Sequence, residues 1–407
     1  MLIICSIAVA AIFLLLAIES ILLTIGRKRF ALVIHVNGTR GKSTVTRMIH
    51  ALLREQGMEV FGKTTGSAAC LLFPDGSEKP VRRFGPANVR EQRNLLLYCA
   101  YLAGRTFKEK KKQSALVFEC NAIQEELQQI SMKWLKPDIT IVTNVREDHV
   151  RELGNSKQTA LSFASAVPEK SVLITAESVY NYIWETAEKQ KKLTLLFFDS
   201  CETGKTGLEA NTACALKAAE YLGIDKLKAE ESIRKYTPDA GEFRIYSWET
   251  SNCSVYFADA RAANDIESTK NLSSPFIENI KTGAEVKRIL LLISREDRPD
   301  RTHQFMEYIL DINRNSYFDQ YLCLGYSPLK FGRKLKKAGI NHKKLGYITE
   351  LDNILEDISE KMVYILAVGN FCGPGNQITD WLEARKNEKD HKQIPETTLL
   401  KELQGES

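Results

Sequence analysis

The sequence predicts an α/β protein: a doubly wound, mostly parallel sheet carrying a phosphate-binding loop, of the kind found in P-loop ATPase domains. A smaller C-terminal α/β unit follows it, and one apolar N-terminal helix precedes it. Three observations carry this expectation. Short apolar runs alternate with amphipathic stretches along most of the chain, as they do where parallel strands are joined by helical crossovers. The apolar run ending at Val36 passes through Asn37-Gly38-Thr39-Arg40-Gly41-Lys42-Ser43-Thr44 into a helical pattern. Residues 2–25 are apolar apart from Glu19, and Gly26-Arg27-Lys28-Arg29 closes them.

Taken in order, the N-terminal stretch comes first. Its uninterrupted apolar run of about 17 residues is at the short limit for a spanning helix, for which roughly 20 is usual. A cleaved signal peptide carries its positive charge ahead of the apolar run and a small-residue cleavage site behind it. Here the cationic cluster follows, so the positive-inside rule places everything after Arg27 in the cytoplasm. The expectation is a single-pass anchor in the cytoplasmic (inner) membrane with the catalytic body in the cytoplasm. A buried core helix is the other reading, and the lack of a polar face speaks against it.

At 407 residues the chain exceeds what one ordinary core supports. The expected division is an anchor over 1–26, an ATP-binding domain over 29–240, a C-terminal α/β domain over 244–385 and a charged tail over 386–407. A hydrophobic share of 44% with 26% charged residues is that of a folded globular protein. The net charge of +5 is mild and dispersed, so no nucleic-acid groove is expected. The nine cysteines show no metal-finger spacing, which suits a reducing compartment without disulfides.

The phosphate loop is the centre of the reading. Val45, Met48, Ile49, Leu52 and Leu53 recur on one helical face, and Gly57 is a stop signal. Gly38 and Gly41 would let the backbone turn its N–H groups toward an anion at the positive end of that helix. Lys42 would reach the β- and γ-phosphates, and the Ser43 hydroxyl would ligate magnesium. The standard pattern has glycine where Val36 stands, so this is the shorter Gly-Thr-x-Gly-Lys-Ser form. A glycine turn with a chance Lys-Ser would not need the strand before it and the helix after it.

Glu59–Thr65 reads as a strand running into Thr64-Thr65-Gly66-Ser67, and 74–86 as an irregular Pro- and Gly-rich excursion. A helix is expected over Asn88–Ala103. Buried strands follow: 115–118 ending in Glu119-Cys120-Asn121, 139–145 ending in Arg146-Glu147-Asp148-His149, then 171–175 and 193–198. Ligands of such sheets bind at the carboxyl ends of the strands, which singles out Glu119, Asn144 and His149 beside the loop. Glu119 is the magnesium candidate. His149 is a candidate to bind a second magnesium or orient one.

A linker is expected over 236–241, with Arg244 just beyond it, positioned to grip a γ-phosphate through its planar fork if the domains close. Short strands at 254–258, 288–293, 321–324 and 363–368 outline the second unit. The cluster Arg295, Asp297, Arg298, Asp300 and Arg301 has two readings: an exposed salt-bridged loop, or a site for an anionic, carboxylate-bearing substrate.

The loop octapeptide together with Thr143-Asn144-Val145-Arg146-Glu147-Asp148-His149 resembles the Mur ligase superfamily of ATP-dependent amide-forming ligases. The chain is most similar to the membrane-anchored ligase-subunit family of poly-γ-glutamate synthase (the PgsB/CapB type). The features behind this are Gly62-Lys63-Thr64-Thr65-Gly66, Glu119-Cys120-Asn121-Ala122, Ala262-Ala263-Asn264-Asp265, the run Arg298–Phe305, Val368-Gly369-Asn370 and the N-terminal anchor. The resemblance implies ATP and Mg2+ as cofactors. Gly38, Thr39, Arg40, Gly41, Lys42, Ser43 and Thr44 would form the ATP loop, with Asn144 beside it. Glu119 and His149 would be magnesium positions with Ser43. Asn211, opening a helix, would contact adenine, Arg244 the γ-phosphate, and Asp265 would be brought to the nucleotide by domain closure. Lys42, Glu119, His149 and Arg244 would be the catalytic set. Thr64, Thr65, Arg295, Arg298 and Arg301 are the substrate candidates.

The implied reaction joins glutamate to a growing poly-γ-glutamate chain through an acyl phosphate, with small membrane subunits as partners in synthesis and export. The chain departs from the pattern at Val150-Arg151, where a hydrophobic residue and Asp are usual, and at Asp239-Ala240-Gly241-Glu242-Phe243-Arg244 in place of a proline-glycine linker. No counterpart of the modified lysine of some Mur ligases is evident. Three other readings stay open: a soluble folate-polyglutamylating relative, a membrane-tethered ATPase driving transport or assembly, and a nucleotide-binding scaffold without turnover.

Overall fold

A computed structural model describes residues 2–66, 69–83, 88–106, 113–146, 150–198, 207–239, 241–263, 266–280, 283–313, 317–326, 329–385 and 392–394. The chain divides into two compact units, Met1–Asp239 and Ala240–Ser407. In the first, α1 (Leu2–Arg27) leads into β1 (Leu32–Asn37), α2 (Lys42–Glu55), β2 (Glu59–Thr64), β3 (Cys70–Leu72), β4 (Glu78–Pro80) and α3 (Arg90–Thr106). Then come β5 (Ser114–Glu119), α4 (Glu125–Leu135), β6 (Ile139–Val142), α5 (Val150–Leu153), α6 (Ser156–Ala166) and β7 (Val172–Thr175). The unit closes with α7 (Asn181–Lys191), β8 (Thr194–Phe197), α8 (Gly207–Tyr221) and α9 (Lys226–Arg234).

Among the described residues its eight strands form one sheet in the order β4-β3-β2-β5-β1-β6-β7-β8. From β2 to β8 every pairing is parallel. Parallel strands joined by helices are covered on both faces, so they read as continuous apolar runs. One face packs Ile34, Val36 and Val117 against Val45, Met48 and Ile49 of α2. The other packs Val33, Leu116 and Phe118 against Leu96 and Cys99 of α3, together with Leu23 and Phe30 at the end of α1.

The excursion expected over 74–86 is partly ordered: β3 and β4 add two antiparallel strands beyond β2. They are three residues each, too short to show a period, and are defined by pairing to a strand already built.

The second unit contains β9 (Arg244–Glu249), β10 (Ser254–Asp259), α10 (Ile266–Glu278), β11 (Val286–Ser294), α11 (Pro299–Asn313), β12 (Gln320–Gly325) and α12 (Leu329–Lys337). It continues with β13 (His342–Leu345), α13 (Glu350–Glu356), β14 (Met362–Gly369), α14 (Asn376–Arg385) and β15 (Lys392–Ile394). Its sheet runs β13-β12-β11-β14-β10-β9-β15, with an antiparallel β9 on an otherwise parallel core. Arg244, just beyond the expected linker, is the first residue of a strand paired with β10. One expectation changes here. The charged tail contributes β15, which pairs antiparallel with β9.

Candidate active site

The loop between β1 and α2 takes its shape from two glycines. Gly38 and Gly41 have φ of 123° and 78°, in the region that side chains disfavour. A Cβ on Gly38 would lie 2.2 Å from Thr143 Oγ1, and one on Gly41 2.1 Å from Asn211 Oδ1. The Asn211 carboxamide therefore lies against the loop, although it sits in the second turn of α8 and does not open it as expected.

Asn144 proves to be a brace. Its Oδ1 accepts from Arg40 N (2.9 Å), its Nδ2 donates to Arg40 O (3.0 Å) and its carbonyl accepts from Thr39 N (3.0 Å). Thr143 Oγ1 also donates to Arg40 O (2.6 Å). Both ends of the Asn144 amide bond the loop backbone, so it shapes the cradle. Lys42 folds back over the loop, its Nζ donating to Gly38 O (2.7 Å) and Thr39 O (3.0 Å). Ser43 and Thr44 occupy the first turn of α2, where unpaired backbone N–H groups and the positive helix end face an anion.

Glu119, 2% exposed at the end of β5, is where three segments meet. Its Oε2 accepts from Ser43 Oγ (2.8 Å) and Thr65 N (2.7 Å), and its Oε1 from Thr65 Oγ1 (2.6 Å). Its backbone carbonyl accepts from Gln92 Nε2 at the start of α3 (2.8 Å). Thr65 thus holds Glu119, and Thr64 is fully buried at the end of β2, so neither stands free to bind substrate as expected. One carboxylate with Ser and Thr hydroxyls is a hard-oxygen set. It suits Mg2+, which takes one or two protein carboxylates and fills its octahedron with water and phosphate oxygens. Groups of three or more His, Cys, Asp or Glu residues able to hold a metal are absent among the described residues. His149 and Asp265 lie outside the described residues.

Sequence reasoning missed the cluster behind Glu119. Lys63, with no exposed surface, pairs with Glu91 (2.9 Å), which also takes Arg83 (2.6 Å). Burial lowers the Lys63 pKa, and Glu91 pulls against it. Burial pushes the Glu91 carboxyl up, but its bonds to Arg83 and Lys63 outweigh that and leave it below the usual range. The available signal was a lysine inside the buried strand Val60-Phe61-Gly62-Lys63-Thr64. His35 shares this face of the sheet. Burial and the Lys63 charge hold its pKa at about 3, so it is neutral. On the opposite face Arg47 grips Glu78 (2.9 Å to Oε2), Thr237 O (3.2 Å) and Asp239 (3.4 Å), tying the chain after α9 to the loop helix.

In the second unit the strand ends also gather charge. Arg261 binds Asp259 through Nε (2.7 Å) and Nη2 (2.6 Å), and both are buried. Of the expected substrate cluster, Arg295 closes on Asp297 (2.8 Å), Arg301 donates to Asn370 Oδ1 (3.1 Å), and Arg298 is exposed. The salt-bridged loop is the form Arg295 takes here.

With that geometry in place, residues 36–219 match the model of the Mur ligase middle domain, and residues 245–385 that of the poly-γ-glutamate synthase CapB C-terminal domain. The chain belongs to the Mur ligase superfamily, in its CapB-type branch. It is 32% identical over 292 residues to the capsule biosynthesis protein CapB of Bacillus anthracis, an alignment covering 68% of this chain and 60% of that protein. It is 27% identical over 370 residues to the PGA synthase CapB of Bacillus subtilis (strain 168), covering 87% and 90%. The chain therefore spans less than two thirds of the first relative and most of the second. Among solved structures it is similar to E. coli FolC in complex with DHPP and ADP, with a TM-score of 0.61 at 15% identity over 91% of this chain and 92% of that one. At that identity the likeness speaks for the fold alone. This CapB-type chain has the expected α/β architecture in both units.

Proposed function

We propose that this CapB-type chain is an ATP-dependent amide ligase that joins glutamate units through their γ-carboxyl groups, releasing ADP and phosphate. The observation that carries this is the meeting of Ser43, Thr65 and Glu119 beside a phosphate loop in a Mur-type domain. Relatives named capsule biosynthesis protein and PGA synthase supply the substrate class.

A carboxylate is a poor electrophile, so amide formation needs activation. The γ-phosphoryl group would pass from ATP to a carboxylate oxygen, ADP leaving. The amine of the next glutamate would attack the acyl carbon, and phosphate would leave. Such transfer depends on positioning and charge neutralisation. The turn Gly38-Thr39-Arg40-Gly41 would cradle the phosphates, the backbone N–H groups in the first turn of α2 would meet them, and Lys42 would leave its loop carbonyls to do the same. Asn211 lies where it reaches the nucleotide bound over Gly41. Ser43 and Glu119 would hold magnesium, which would supply charge neutralisation for the transfer. His149, Arg244 and Asp265 complete the proposed nucleotide set. Arg298, exposed at the strand ends of the second unit, is the remaining cation of its cluster for a carboxylate-bearing substrate.

We read α1 as a single membrane span, with the catalytic body in the cytoplasm and small membrane subunits as partners in export. An apolar 18-residue stretch of the helix Ile3–Arg27 has a mean hydropathy of 2.6, and 6% of that stretch is buried. The helix's exposed stretch 3–18 rises about 24 Å, at the short limit for a hydrocarbon core of about 30 Å, and the exposed Ile21, Leu22 and Ile25 carry the apolar surface further. The test is ADP release by the full chain in detergent, with and without glutamate or a γ-linked oligomer, beside Lys42→Ala, and with the partner subunits added. Glutamate-dependent release that disappears in Lys42→Ala supports the ligase. Turnover indifferent to glutamate, or AMP and pyrophosphate as products, refutes it.

A further inference from the structure

The cytoplasmic end of α1 is not a loose tether. From Glu19 onward it docks along α3, and the contacts fix its direction. Glu19 pairs with Arg93 (2.8 Å), and a Cβ on Gly26 would lie 3.3 Å from Ala100 and 3.4 Å from Leu97. Arg29 donates to Ala100 O (2.6 Å), and its guanidinium lies over Gly104. Sequence number rises together on both helices, so α1 and α3 run parallel.

The two ends of α3 mark opposite edges of the sheet. At its start Gln92 binds the carbonyl of Glu119 and Glu91 pairs with Lys63, both at the carboxyl ends of their strands. At the other edge Arg27 pairs with Asp138 (2.8 Å), whose Oδ2 accepts from Val33 N, and Ala31 N donates to Ser114 O where β5 begins. Helix α1 therefore leaves the domain past the carboxyl edge. It comes level with that edge near Glu19, and residues 3–18 beyond it are exposed throughout. The seven residues from Gly26 to Glu19 climb about 10 Å, as do those from Ala100 to Arg93.

We infer that the carboxyl edge of the nucleotide-binding sheet, which holds the phosphate loop, Lys63 and Glu119, faces the membrane surface. The inference rests on the reading of α1 as a span. Its occupant is the lipid headgroup layer, for two reasons. The uncovered apolar surface runs without a break from Ile3 past Glu19 to Ile21 and Leu22, so it reaches the level of this edge. Arg82 and Arg90 are exposed beside the start of α3, on the same edge, where they complement an anionic leaflet. The consequence is that glutamate ligation takes place against the bilayer.

The test places single probes on the two edges. In a full chain carrying Cys5→Ser, Cys70→Ser, Cys201→Ser and Cys372→Ser, one variant has Glu126→Cys, exposed in the first turn of α4 at the carboxyl edge. The other has Glu169→Cys, exposed before β7 at the amino edge. Each carries a fluorophore, and the protein is reconstituted alone in nanodiscs containing headgroup spin-labelled lipid. Quenching several-fold stronger at position 126 than at 169 is the expected result. Equal or reversed quenching, or a chain held in the disc with position 126 unquenched, overturns the orientation, including the alternative that this edge serves only a protein partner. Alkaline carbonate extraction separates the two claims: release of the full chain from membranes refutes the span itself, and the placement falls with it.

Discussion

Lys63→Met is the most informative single change in the first unit. It removes a cation without exposed surface and leaves the Glu91 carboxylate, 11% exposed, paired with Arg83. Removing one member of a buried pair costs about 3–5 kcal/mol, because the other charge stays desolvated. The Arg83 side chain is 27% exposed and can follow Glu91, which argues for the lower end, ~3 kcal/mol. In a domain of this size 1 kcal/mol shifts Tm by about 2–4 °C, so the expected fall is ~6–12 °C. Calorimetry of the full chain in detergent measures it. A shift under about 2 °C would show that the ion pair is close to neutral and would refute the reasoning. Lys63→Met combined with Glu91→Leu should recover most of the loss, since an apolar pair of similar volume carries no desolvation cost.

The same substitution has a second readout at the site. Gln92, next to Glu91, holds the carbonyl of Glu119. Loosening the start of α3 should raise the magnesium needed for half-maximal ADP release about 10-fold, the lower end for a group supporting a metal ligand. Unchanged magnesium dependence with a lowered Tm would confine Lys63 to stability.

Thr65→Val keeps the shape of Thr65 and its N–H bond to Glu119 but removes the hydroxyl donor at 2.6 Å, so magnesium affinity of turnover should fall about 10–100-fold with Tm little changed. His35 and His50 are depressed to about 3 and about 4, His35 by burial and the Lys63 charge, His50 chiefly by burial. The unfolded chain takes up these protons near pH 6.5 and the folded one does not. Stability should therefore decline as pH falls below 6.5, by up to ~1.4 kcal/mol per pH unit for each histidine. His35→Leu should flatten Tm against pH between 6.5 and 5, and an unaltered slope would exclude His35 as a source. Gly26→Leu forces a side chain between α1 and α3 and should cost about 1–3 kcal/mol. Glu19→Gln, which breaks a half-exposed pair, should cost less than about 1 kcal/mol, and thermal unfolding in detergent ranks the two.

What the sequence made legible is what lies close along the chain. The loop is one octapeptide whose glycines, lysine and serine do their work within a turn of each other, so spacing alone exposed it. Glu119 stood out because an apolar strand delivers a carboxylate to an edge where ligands bind. Its partners were out of sight: Ser43, Thr65 and Gln92 come from α2, the end of β2 and α3, and only the sheet order brings them together. Asn144 was placed at the right edge, but spacing could not show that its amide would be consumed by Arg40. Strands β3, β4 and β15 escaped because three residues carry no periodicity. The pairing of β3 with β2, of β4 with β3 and of β15 with β9 overrides the Pro, Gly and charge around them.

Helix α3 gives the first unit a mechanical logic that no single motif states. One of its faces seals the apolar core over Val33, Leu116 and Phe118. Its start fixes Glu119 through Gln92 and Lys63 through Glu91, while Arg93, one residue further on, holds Glu19 of α1. The candidate metal ligand and α1 are thus attached to consecutive residues of one helical turn. A buried charge at Lys63 in place of an apolar residue costs stability, but it pins that turn in register against β2, and a turn free to slide would move Glu119 relative to Ser43. The docking of α1 along the remainder of α3 adds stiffness from the other side. The same turn that positions the carboxylate therefore also sets the angle at which α1 leaves the domain. The direction of α1 and the geometry at the phosphate loop are fixed by the same few contacts.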